Sequence, residues 1–307
     1  MISTDELLVS VIIPNYNRTD QLFRAIQSVL DQNITSFEII VVDDCSTLDP
    51  LPGIQLFKDS RIKMIRLKEK KNAAYARNVG INKSVGKFIS FLDSDDAYLP
   101  YHLYKRINLL TENPNYDGVY GSAIKVNGNV KETFISSQIK PEDSMLEYLL
   151  SGSLKACMPS QFLKGGPVKD ILFDETLLQH QDYDFSIRFH EKYKFLCDRD
   201  PSVLVYVDDF RRMGRNVDHD SCLRFIDKYR HTIKDNTYYD YLLRQLIHEY
   251  KDHGKTVFYI NYKKRLLSGK HKIKNWLKIM LLNSPLITKL RKAGRRWRGK
   301  IISTRAN

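Results

Sequence analysis

The sequence predicts an α/β fold built on a mostly parallel sheet, and three observations carry that prediction. Short β-branched apolar runs alternate with helix-period segments through the first hundred residues, the pattern of βαβ units. Apolar residues make up 42% of the 307 positions, enough for a substantial core. The apolar runs end in Pro, Asn or Asp, the residues that terminate strands and open turns.

The elements follow in order. Leu7 to Ile13 reads as a buried strand that stops at Pro14. From Thr19 to Leu30 the apolar residues Leu22, Phe23, Ile26, Val29 and Leu30 recur every three or four positions, which predicts a helix with one face on a core. Glu38 to Val42 is the second strand, Ile62 to Leu67 the third, Ala73 to Lys83 a helix, and Phe88 to Leu92 the fourth strand. Further on, Gly118 to Ser122 suggests another strand, and Gly152 to Gly166 reads as a loop.

Charge divides the chain unevenly. The formal net charge is +13, but residues 251–307 hold 17 Lys and Arg against the single acid Asp252, leaving the first 250 residues at −3. A slightly acidic body with a basic tail suits a domain held at a polyanion or an anionic membrane surface. Residues 272–305 carry the clearest pattern. Ile273, Trp276, Leu277, Met280 and Leu281 repeat at helical spacing with Lys272, Lys274 and Lys278 between them, and Arg291 to Arg298 follows Pro285. An interfacial amphipathic helix has this character; a helical pair packed on the body with a solvated basic face has it too. No nucleic-acid recognition motif accompanies the charge, and no nucleic-acid partner is expected.

Other classes are disfavoured. Met1 to Glu6 carries two acids where a secretory signal would be cationic, and the apolar runs fall short of the roughly 18–20 residues of a membrane span. Cys45, Cys157, Cys197 and Cys222 form no Cys-x-x-Cys pair, which disfavours a zinc cluster and suits reduced thiols. A cytoplasmic protein, peripheral on the inner face of the membrane, is the expectation.

Open parallel sheets bind ligands beyond the carboxyl ends of their strands. There the sequence places Pro14-Asn-Tyr-Asn17, Asp43-Asp44 and Asp93-Ser-Asp-Asp96. Each cluster alone is ordinary turn chemistry. Five carboxylates meeting in one crevice would repel, and they imply a divalent cation. Asp93 and Asp95 alternate along an extended segment and so face one site, and a hard cation such as Mg²⁺ or Mn²⁺ takes one or two such carboxylates plus substrate phosphates.

Val9 to Arg18, Glu38 to Ser46, Asn72 to Gly80 and Phe91 to Asp96 resemble, in order and spacing, the successive motifs of the family 2 glycosyltransferases. The likeness is dense over about residues 7–100 and thinner to about 220. It implies an inverting enzyme of the GT-A fold, a Rossmann-like mixed sheet that binds nucleotide-diphospho-sugars. The implied catalytic domain spans residues 1–225, with a nucleotide-sugar half to about 100 and an acceptor half over 101–225; residues 226–307 would be a helical basic extension. On this resemblance Pro14, Tyr16 and Asn17 line the nucleobase, Asp44 contacts base or ribose with Asp43 as its support, and Arg77 lies near the ribose and diphosphate. Asp95 would ligate the metal, while Asp93 would contact ribose or donor sugar beside it. Tyr16 also reads as a packing aromatic, Arg77 as a helix-surface charge, and Asp43 as a strand-end cap. Two positions depart from the family pattern: Ala74 and Cys45 stand where glycine is usual.

Inverting transfer needs a carboxylate that accepts the acceptor hydroxyl's proton as that oxygen attacks the anomeric carbon. The segment Phe173 to Arg188 is similar to the family's region where an acidic pair opens a helix, and Asp182 aligns with the second acid. Gln181 replaces the first. Asp184 is a competitor better suited to supporting the helix N-terminus, and Asp182 itself also reads as a helix cap. Arg211, Arg212 and Arg215 fall where the family often has a mobile loop over the diphosphate and would clamp phosphate; His219 would be an added metal ligand. The same residues read as a solvated charge run and a surface histidine.

The expected reaction moves a hexosyl or N-acetylhexosaminyl group from a nucleotide-sugar, with UDP as the expected nucleotide, to a lipid-linked or polysaccharide acceptor in cell-surface glycan synthesis. The alternatives are a metal-dependent nucleotidyltransferase, which would carry a Gly-rich basic loop where Pro14 to Asn17 stands, and a non-catalytic protein that binds nucleotide-sugars or polyanions without turnover.

Overall fold

The computed structural model describes residues 8–140, 142–152, 156–207, 217–252 and 256–268. The chain divides into two compact units, Met1–Lys228 and Tyr229–Asn307, where the sequence suggested 225/226.

In the first unit, seven strands among the described residues form one sheet: β1 (Val9–Asn15), β2 (Phe37–Asp43), β3 (Ile62–Arg66), β4 (Phe88–Phe91), β6 (Gly118–Gly121), β9 (Phe162–Lys164) and β10 (Phe195–Asp198). Their spatial order is β10-β6-β9-β4-β1-β2-β3. Every pairing is parallel except those of β9, which runs antiparallel to both β4 and β6. A four-stranded sheet of order β5-β11-β7-β8 adjoins, from β5 (Ala97–Tyr98), β7 (Ala123–Asn127), β8 (Val130–Phe134) and β11 (Val203–Tyr206).

The β1 and β2 strands are buried at all seven positions each, as their mostly apolar, β-branched sequence suits in a doubly covered parallel sheet. Val9, Val11 and Ile13 share a core with Leu22, Ala25, Ile26 and Val29 of helix α1 (Thr19–Leu30). On the opposite face Ile40 and Val42 pack with Ala76 of helix α3 (Ala73–Lys83). The α3 helix lies so close to the sheet that a Cβ on Gly80 would stand 2.4 Å from Ile12 Cγ2. Asn72 caps α3 by accepting from the Tyr75 amide at 2.9 Å.

Two expectations change. The first strand runs through Pro14 to Asn15: Ile12 turns its carbonyl to Leu92 on the β4 side, so the N–H that Pro14 lacks would point past the end of β4 and is not missed. The segment 152–166, expected as a loop, instead contains a 3₁₀ turn (Met158–Ser160), β9 and the start of a helix (Gly165–Asp170). Phe162 and Leu163 are fully buried, and their run was too short to show a period.

A buried ion pair steadies the end of β10 and the turn that leads to β11. Arg106, in the helix His102–Glu112, is fully buried and donates to Asp198 at 2.8 Å, with Lys105 at 2.9 Å on the same carboxylate. This pair fixes the approach to β11, whose far end reaches the site.

The second unit contains the helices Asp235–Asp252 and Val257–Ser268. No helix among the described residues is long and apolar enough to cross a membrane. The basic segment 272–305 lies outside the described residues.

Candidate active site

The polar strand ends meet as the topology requires. A cleft of about 510 Å³ opens beyond the carboxyl ends of β1, β2 and β4, lined on one side by Pro14, Tyr16, Asp44 and Asp93 to Asp96 and on the other by Leu178 to Asp182. This size is ordinary for a small-molecule site.

At the head of the cleft Asp44 is buried and accepts from the Lys71 amide at 2.6 Å. Burial lifts its carboxyl above the ordinary value, against the Lys71 hydrogen bond and the nearby Lys70 charge. Lys70 stands 4.2 Å from the centre of the Tyr16 ring, which is 39% exposed and presents a flat face to solvent. Asp43 turns inward instead. It accepts from Asn15 Nδ2 at 2.8 Å and from the Ser46 hydroxyl at 2.5 Å and amide at 3.0 Å, which ties the end of β1 to the loop after β2. Asn17 belongs to the same tie: its amide donates to Ser46 Oγ at 2.8 Å and its Oδ1 accepts from Thr47 at 2.8 Å. It does not line the cleft. The loop also explains the departure at Cys45, whose φ is +59°, a left-handed conformation that favours glycine and costs other residues about 1–2 kcal/mol.

The floor is the turn after β4. Asp96 closes it by donating its amide to the Asp93 carbonyl at 2.9 Å, and the Tyr206 amide donates to Asp96 Oδ1 at 3.0 Å. Three carboxylates thus crowd one turn. Asp96 is held well above its ordinary value, mainly by burial, then by repulsion from Asp93 and Asp95. Two arginines answer the crowding: Arg77 Nη2 lies 2.6 Å from Asp93 and Arg18 Nη1 2.6 Å from Asp95. Arg24 donates to the Asp95 carbonyl at 2.5 Å while its guanidinium lies 3.7 Å from the centre of the Tyr206 ring, so the backbone of Asp95 is held from behind.

The opposite wall is the start of helix α7 (Gln181–Lys192). His180 precedes it in a left-handed conformation, φ +62°, and burial pushes its imidazole down to about 4. The N-cap is therefore His180 and not Asp182, which sits second in the helix and faces the cleft. Burial raises the Asp182 carboxyl above its ordinary value; Arg77 opposes that and Asp93 adds to it. Asp184 points elsewhere, with Arg188 at 2.7 Å and Lys228 at 2.6 Å, and does not line the cleft. The two walls are joined by Arg77, which donates to Gln181 Oε1 at 3.3 Å while it holds Asp93.

A carboxylate-rich turn of hard oxygen donors suits a cation such as Mg²⁺ or Mn²⁺. Among the described residues no three His, Cys, Asp or Glu side chains form a metal-holding group; one Asp carboxylate with diphosphate oxygens is the donor set this geometry offers. His219 is buried at the start of the helix His219–Lys228 and does not line the cleft. Arg211, Arg212 and Arg215 lie outside the described residues. Arg18 and Tyr206 are site residues to which the sequence assigned no role, and Asp96 was counted only among the clustered carboxylates. Arg18 and Asp96 stand inside quoted motifs; Tyr206 lies 110 positions from Asp96 and carries no local signal.

A family model described as "Glycosyl transferase family 2" matches residues 10–170. An uncharacterized glycosyltransferase of Haemophilus influenzae is 28% identical over 235 residues, 74% of this chain and 78% of that one. An Escherichia coli protein named UDP-Glc:alpha-D-GlcNAc-diphosphoundecaprenol beta-1,3-glucosyltransferase WfgD is 31% identical over 181 residues, 59% of this chain and 66% of its own. The crystal structure of S. aureus TarS 1-349 in complex with UDP-GlcNAc superposes with a TM-score of 0.63 at 20% identity, covering 85% of this chain and 80% of that one, a likeness of fold that makes the first unit a GT-A domain. Since the matched region is more than half of the chain and contains the β1, β2 and β4 ends that open on the cleft, the chain belongs to glycosyl transferase family 2.

Proposed function

We propose that the protein transfers a hexosyl or N-acetylhexosaminyl group, with inversion, from a UDP-sugar to a lipid-linked or polysaccharide acceptor of the cell surface. The observation that carries this reading is the shared cleft: a raised-pKa carboxylate, Asp182, faces the Asp93–Asp96 turn across one cavity, with Arg77 bonded to both walls. The names of the WfgD and TarS relatives support the acceptor and donor classes.

Nucleobase and ribose would pack at Tyr16 and Asp44, and the diphosphate would lie over Asp93 and Asp95 near Arg77. A Mn²⁺ or Mg²⁺ held by Asp95 would supply charge stabilisation for the departing diphosphate. Asp182 then takes the acceptor's proton as its oxygen displaces the nucleotide; elevation of its pKa makes it a stronger base than an exposed aspartate. Gln181 keeps Arg77 in place and adds no charge beside the base. The basic segment 272–305 would hold the enzyme peripherally at an anionic membrane face, where lipid-linked acceptors lie; sedimentation with and without anionic vesicles tests this.

The function is tested by incubating purified protein with a panel of nucleotide-sugars, Mn²⁺ and diphospholipid-linked sugars. The expected result is UDP release with a product of inverted anomeric configuration. Release of pyrophosphate, or binding without turnover across the panel, would contradict it.

A further inference from the structure

Building on the proposed donor site, we infer that Arg18 is an exchange residue: it occupies the Asp95 carboxylate until metal and nucleotide arrive together, then passes to the diphosphate. The two cleft arginines differ in how they are held. The Arg77 side chain is 7% exposed, bonds Asp93 and Gln181, and lies 5.3 Å from the centre of the Phe173 ring. The Arg18 side chain is 22% exposed, and its ion pair is with Asp95, itself 31% exposed; both line the cleft. The backbones beneath the pair are fixed: the Arg18 carbonyl accepts from Leu22 at 3.0 Å in the first turn of α1, and Arg24 grips the Asp95 carbonyl. The side chains of the pair, by contrast, are both partly exposed.

Charge supplies the direction. A divalent cation at Asp95 would face the guanidinium across a few ångströms, and like charges at that range repel strongly in a partly desolvated site. A lone metal must therefore displace Arg18 from Asp95 and forfeit that ion pair. A metal that arrives with a diphosphate brings the displaced guanidinium a new anion, with which Arg forms strong charge-assisted bonds. The ion pair thus couples the two ligands: each raises the affinity for the other, as linkage requires.

The test counts free Mn²⁺ by electron paramagnetic resonance in titrations with and without UDP, on the full chain, for wild type, Arg18→Ala and Arg18→Lys, with thermal melts to verify folding. Removing a partly exposed ion pair is expected to tighten Mn²⁺ binding without UDP about two- to fivefold. Losing the diphosphate contact is expected to weaken UDP binding in Mn²⁺ about tenfold or more, so the coupling shrinks from both ends; Arg18→Lys should fall between. If Arg18→Ala binds Mn²⁺ alone no more tightly than wild type, or leaves UDP affinity unchanged, the exchange is wrong while the donor site stands. If UDP binding to wild type does not respond to Mn²⁺ at all, the metal-assisted donor site falls and the exchange with it.

Discussion

The two walls of the cleft are made by different means. The donor wall is three strand ends, each locked by cross-links between sequence-distant loops: Asp43 to Asn15 and Ser46, Asp44 to Lys71, Asp96 to Tyr206. The opposite wall is one helix start, set by a left-handed His180 whose imidazole packs on Phe225 and Tyr183, with ring centres 4.9 and 5.3 Å apart. On the proposed reading the donor wall is a cross-linked mould for the nucleoside diphosphate. The helix wall presents one chemical group, Asp182, and leaves the space around it to surface loops. Binding is thereby separated from proton transfer, and substitutions on the two walls should fail differently.

The largest expected effect is on the helix wall. Asp182→Asn should reduce turnover by at least about 10³-fold, beyond the 10²–10⁴ typical of a lost general base only if other groups misalign, with UDP affinity within about twofold of wild type. On the donor wall, Asp95→Asn should weaken Mn²⁺-dependent UDP binding by roughly 10²-fold, the weight of a charged hydrogen-bonding partner, and with it the turnover at fixed donor concentration. Asp43→Ala should act on stability instead: it strips several buried donors of their acceptor, at about 2–4 kcal/mol in chemical denaturation.

Smaller effects follow from the pKa of Asp182. Its base form is needed, so kcat/KM should fall as pH drops through a value above the ordinary aspartate range, and this acid limb should be absent from the residual activity of Asp182→Asn. The same elevation has a stability consequence. Between the unfolded value and the raised folded value the folded state holds the extra proton, so stability declines as pH rises through that window. Asp182→Asn should therefore melt above wild type at pH 7 and lose that advantage once the pH is below the unfolded value.

The donor wall was the more legible wall in the sequence for the reason that makes it rigid. Its residues sit immediately after buried β-branched runs, so Pro14, Asp44, Asp93 and Asp95 were readable as strand-end groups; the helix at 19–30 falls where its periodicity places it, and a helix also occupies 73–83 as read from the sequence. Apart from the local Asp43–Ser46 bond, the cross-links were not readable, because they join residues 27 to 110 positions apart. Asn17 shows the result: it stands inside the motif, yet its side chain serves the loop tie. The segment 152–166 hid β9 because three residues squeezed between β4 and β6 carry no period. Asp182 was found by likeness of its region to a family; its place behind a left-handed His180 was not written in the local pattern.

The most direct test of the divided cleft is to measure nucleotide release and Mn²⁺-dependent UDP affinity side by side for Asp182→Asn and Asp95→Asn. The account predicts a crossed result, with Asp182→Asn losing release and keeping UDP, and Asp95→Asn losing UDP affinity. Retained turnover in Asp182→Asn, or equal loss of UDP affinity in both variants, would contradict it.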